Sequence, residues 1–310
     1  MINLSVGEIK CKIPQSWNEI SLKDYSQIYS IINKNIFIEP NEDDAPTNDL
    51  QIKALDAERN LHNVKINRQV FSEFTGIEKN IINKVDGEEM SKTLNTMSNF
   101  LNSEVERKIT KPENKKSFTI KNKEYFFPLT EMKTTTFGDY IEAAQLDMLA
   151  QKNEAGRFGV IAEQMAVLCR EQNEVYDQQL VAKKTKIFSE LKMDVVWDFL
   201  FFFDETSEHL QKTYPNVFKN GNRNDNRHAT NNWAILKPYG WLNTLYDVAK
   251  TGLFTSKQMN AVESVKAENL YTIFTYLSWK AASVEYENEV KKGMEEEQKQ
   301  KQNARKNKRK

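Results

Sequence analysis

The chain has 310 residues, with 44 basic and 44 acidic side chains, 39% hydrophobic residues and a mean hydropathy of −0.69. That balance suits one large domain or two ordinary ones, and 10 glycines with 7 prolines are too few turn formers for a many-stranded sandwich or barrel. The two cysteines, Cys11 and Cys169, lie too far apart in a long chain to suggest a disulfide framework or a thiolate metal site, which fits a reducing, cytosolic setting. No apolar run reaches the roughly 18 residues of a bilayer span, and the opening residues lack a signal-peptide layout. No membrane partner is expected.

In chain order, the alternation of Val6, Ile9, Cys11 and Ile13 predicts one or two short strands. Ser21, with Asp24 three residues on, reads as a weak capping box. The helix it opens carries Leu22, Tyr25, Ile28, Tyr29 and Ile32 on one face. The acidic, proline-bearing stretch 39–49 reads as an exposed loop. Between Leu50 and Asn102 the apolar positions predict three helices, separated near Gly76 and Gly87.

Residues 108–116, lysine-rich and holding Pro112, read as a linker between an N-terminal strand-plus-helix unit at 1–107 and a larger helical unit at 117–290. That larger unit opens with a β-hairpin, Phe118 and Ile120 on one side of Lys121, Asn122 and Lys123, and Tyr125 to Phe127 on the other. Helices follow on Ile141–Leu149, Phe158–Leu168 and Leu180–Leu191. The run 195–203, VVWDFLFFF, is apolar nearly all round and predicts a buried central helix. Residues 214–232 read as a second loop, rich in Asn and Gly. Beyond it, Leu242, Leu245, Tyr246 and Val248 mark a helix. A last helix starts near Lys266 and fades after Tyr286 into a charged, disordered tail at 291–310. The expected fold class is mainly α, with one or two small β-hairpins.

One segment echoes another. Ile9 to Pro14 followed by Ser21, Leu22, Asp24 and Tyr25 resembles Tyr125 to Pro128 followed by Thr136, Phe137, Asp139 and Tyr140. Both read as strand, proline, short loop, hydroxyl cap and helix. Two readings fit: an internal duplication, or coincidence in a chain rich in Lys, Asp and Tyr.

Chemistry-bearing motifs are sparse. His62, His209 and His228 have no neighbours at metal-ligand spacing. There is no GxxxxGK[ST], GxGxxG or GxSxG. Cys169 lies in an apolar helical pattern that predicts a buried, inert thiol. These readings predict no enzyme, no cofactor and no metal.

Two features remain as candidate contact sites. Trp233, Tyr239 and Trp241 cluster beside the long polar loop, where aromatics could form a partner hot spot or pack the following helix. Residues 298–310, QKQKQNARKNKRK, hold seven basic residues and no acid. Arg305, Lys306, Lys308, Arg309 and Lys310 could contact nucleic acid through charge, and a solvated end is the plainer reading.

The segment Ile13, Pro14, Trp17, Ile20, Ser21, Leu22 and Tyr25 resembles the opening of tailed-phage tail assembly chaperones, with a strand, Pro-x-x-Trp, then Ile-Ser-Leu into a helix. Ile161–Arg170 and Gly240–Ala249 are similar in manner to segments of the same helical proteins. The resemblance implies a non-enzymatic protein of the host cytoplasm that binds the tape-measure protein and helps recruit tail-tube subunits. The alternative is a virion structural or packaged protein whose basic tail contacts nucleic acid.

Overall fold

In the computed structural model, the described residues are 2–6, 9–14, 16–36, 48–84, 116–128, 130–150, 152–218 and 239–307, with helical residues at 93, 95–97 and 99. The protein is mainly helical, with two small antiparallel hairpins. It divides into two compact units that are interlaced along the chain: unit 1 comprises residues 1–127 and 142–203, and unit 2 comprises 128–141 and 204–310. This corrects the expected succession of a unit at 1–107 and another at 117–290. The linker at 108–115 lies outside the described residues.

In unit 1, β1 (Ile2–Val6) pairs with β2 (Ile9–Ile13), Leu4 opposite Cys11. A 3-10 turn (Trp17–Glu19) leads to α1 (Leu22–Lys34). The Ser21 hydroxyl accepts the Asp24 N–H at 3.2 Å and donates to the Asp24 carboxylate at 2.6 Å, so the expected capping box forms.

The helix break expected near Gly76 is present: α2 (Asp49–Thr75) runs to Gly76, whose left-handed φ of 70° ends it. A single turn, α3 (Lys79–Ile82), follows, and Gly87 lies outside the described residues. Helix α2 is apolar on two faces. Leu55, Ile66, Val70 and Phe71 are shielded, and α1 packs against the helix. Leu50, Leu61 and Val64, at heptad-like spacing, remain exposed.

The second hairpin, β3 (Ser117–Ile120) with β4 (Lys123–Phe126), turns through Lys121 and Asn122, both at positive φ (49° and 62°). Two left-handed turn residues match the right-handed twist of the strands. Next come α4 (Phe137–Ala150), α5 (Ile161–Leu168), α6 (Gln178–Phe188) and α7 (Met193–Thr213). Phe158 belongs to a 3-10 turn (Gly156–Gly159) ahead of α5 rather than to the helix itself. In α7, Val196, Trp197, Phe199, Leu200 and Phe203 are buried, as the apolar run predicts.

The predicted loop at 214–232 starts instead with one helical turn, α8 (Pro215–Phe218). Proline suits a first helical position, and the flanking Tyr214 and Phe218 rings both meet Phe274. Residues 219–232 lie outside the described residues. Helices α9 (Trp241–Lys250) and α10 (Ala261–Ala267) follow. The last helix, α11 (Leu270–Asn307), does not fade at Tyr286 but covers most of the expected disordered tail. Glu, Lys, Gln and Ala, which fill this stretch, are strong helix formers. A Glu297–Lys301 pair at 3.6 Å adds one i,i+4 contact.

The sequence echo corresponds to a repeated junction. In unit 1, Ser21 forms an antiparallel bridge with Lys192; Leu22 N–H donates to Leu191 O at 2.8 Å and Met193 N–H to Ile20 O at 3.0 Å. In unit 2, Thr136 bridges Asn269; Phe137 N–H donates to Glu268 O at 2.8 Å and Leu270 N–H to Thr135 O at 3.1 Å. The Thr136 hydroxyl accepts the Asp139 N–H at 3.2 Å, as Ser21 does for Asp24. Each junction ties together the N-termini of two helices, α1 with α7 and α4 with α11.

An aromatic trio fills the space below each junction. Tyr25, Phe158 and Trp197 meet edge-on in unit 1, with centroids 4.8 to 6.4 Å apart. Tyr140, Trp241 and Phe274 meet in unit 2 at 5.4 to 5.7 Å. Caps, bridges and rings thus correspond at the two junctions, whose bridging residues alternate along the chain in the order Ser21, Thr136, Lys192, Asn269.

Candidate functional site

Of the three aromatic residues that the sequence places beside the polar loop, Trp233 lies outside the described residues. Trp241 opens α9 directly after Gly240, whose φ of 47° is accessible to glycine at little cost. Its ring stacks on Phe274 at 5.7 Å and meets Phe137, Tyr140 and Phe218 edge-on at 6.4, 5.7 and 5.7 Å. Trp241 is therefore a packing residue of unit 2, placed as Phe158 is in unit 1, and not a free hot spot. Amphipathic α9 turns that side inward together with Leu245, Val248 and Ala249.

Tyr239 faces solvent, at 54% exposure. Leu242 and Tyr246, one helical turn apart on α9, are exposed as well. They extend the surface that Tyr239 begins. Sequence reasoning counted Leu242 and Tyr246 among the burying positions of this helix; both are offset from the Leu245 and Val248 face, and that offset was the available signal. Asp247 lies beside them and pairs with Lys280 at 2.7 Å, so the apolar face has a charged border.

A second exposed feature is the distal part of α11. From Val284 to Gln302 every residue is exposed. Trp279, Tyr286, Val290 and Met294 lie within one narrow stripe of it. Arg305 and Lys306 fall in the last turns of this helix, but their side chains, and all of Lys308, Arg309 and Lys310, lie outside the described residues.

The titratable groups are engaged locally. His62 Nε2 lies 2.7 Å from Asn35 O, and His209 lies 3.7 Å from the Glu131 carboxylate; His228 is outside the described residues. A hydrogen bond from Lys133 holds the Glu131 carboxyl below its ordinary range, with a smaller contribution from His209. Cys11 and Cys169 are both buried, and burial pushes both thiols up. The buried Lys184 ammonium donates to Glu174 at 2.5 Å and to the Cys169 carbonyl at 3.0 Å, which ties α6 to the end of α5.

Among the described residues, no group of three or more His, Cys, Asp or Glu could hold a metal ion, and no helix is long and apolar enough to cross a membrane. The described residues of α9 and α11 present exposed apolar side chains, among them Leu242, Tyr246, Trp279 and Tyr286. No protein-family model, no curated protein and no solved structure matches the chain.

Proposed function

We propose that this chain is a non-enzymatic phage tail assembly chaperone that binds the tape-measure protein and helps tail-tube assembly in the host cytoplasm. The observation that carries the reading is the exposed face of α9, where Leu242 and Tyr246, with Tyr239 just ahead of the helix, face solvent above Trp241, Leu245 and Val248. A long helical client needs an apolar face on a stable helical body to lie against. Tyrosines provide large contact area with few rotors to freeze. The resemblance of Ile13–Tyr25 and Gly240–Ala249 to tail assembly chaperones supports the same reading.

Co-expression with the tape-measure protein tests it. The chain should keep the client soluble and co-purify with it, and a Tyr239→Glu/Tyr246→Glu variant should lose the complex while keeping its helical signal and melting temperature. An insoluble client beside the wild-type chain contradicts the reading.

A second reading, a virion protein whose tail contacts nucleic acid, is favoured by one observation: the run 298–310 holds seven basic residues and no acid, and it begins on the exposed distal part of α11. DNA affinity should then fall steeply with salt and vanish when residues 298–310 are removed.

A further inference from the structure

We draw no further inference here: the strongest candidate, the exposed apolar stripe of Trp279, Tyr286, Val290 and Met294 on α11, carries nothing because nothing among the described residues shows what covers it.

Discussion

Trp197 and Phe274 occupy equivalent places in the two units. Each lies five residues beyond a bridging residue, Lys192 or Asn269, and each meets a tyrosine that lies four residues beyond the hydroxyl cap of the opposing helix. The bridge fixes where two helices start, and the ring fixes how they pack one turn later. Both are almost fully buried. Trp197→Ala and Phe274→Ala should each cost about 3 to 5 kcal/mol through lost burial and cavity formation, read as a lowered midpoint in urea unfolding.

The caps should respond alike. Ser21→Ala and Thr136→Ala each remove a side-chain acceptor for a helix N–H and should cost about 1 kcal/mol apiece. Thr136→Ser should retain most of the stability in the same thermal melts. A cost at one site alone would show that the two junctions are not energetically equivalent.

Lys184 and Glu174 form a buried ion pair, with side chains 7% and 10% exposed. Lys184→Met leaves a buried carboxylate without its partner and should destabilise by about 3 kcal/mol or more. Lys184→Met/Glu174→Leu removes both charges and should recover much of that loss. A double-mutant cycle by denaturant titration measures the coupling.

Cys11 and Cys169 are buried, and burial pushes the titration of both thiols up. A thiol-reactive dye at neutral pH should label neither in the native protein and both in denaturant. Rapid native labelling of Cys169 would mean that the end of α5 opens readily.

Glu131 ionises below the ordinary carboxylate range because Lys133 hydrogen-bonds it, with His209 contributing less. Its folded-state value is lowered, so its contribution to stability is present above the unfolded value and is lost as pH falls through the folded one. Wild type should therefore melt higher than Glu131→Gln at neutral pH. The difference should shrink to nothing in acid, on a pH series of melting curves.

Local features were legible in the sequence, and non-local ones were not. The Ser21 capping box, the Lys121–Asn122 turn and the buried run in α7 each depend on neighbours within a few residues. The interlacing of the units depends on pairings such as Ser21 with Lys192, which no local pattern reports. A second echo was readable and was missed: Met193, Val196 and Trp197 match Leu270, Ile273 and Phe274 at the same offsets from the bridge. In α11, net charge suggested disorder where the helix-forming tendency of Glu, Lys, Gln and Ala prevails. In α2 the helix and its end at Gly76 were legible, whereas which of its apolar positions are shielded depends on α1, a neighbour distant in sequence. At the aromatic site the sequence left a partner hot spot and packing of the following helix both open, and the rings around Trp241 decide for packing at that residue.

The most direct test of the assembly-chaperone reading is quantitative mass spectrometry of purified virions from the phage that encodes this chain, set against the infected-cell lysate. The account predicts abundant peptides in the lysate and none in the virion beyond trace carry-over. A stoichiometric presence in the virion would contradict it and favour the structural protein.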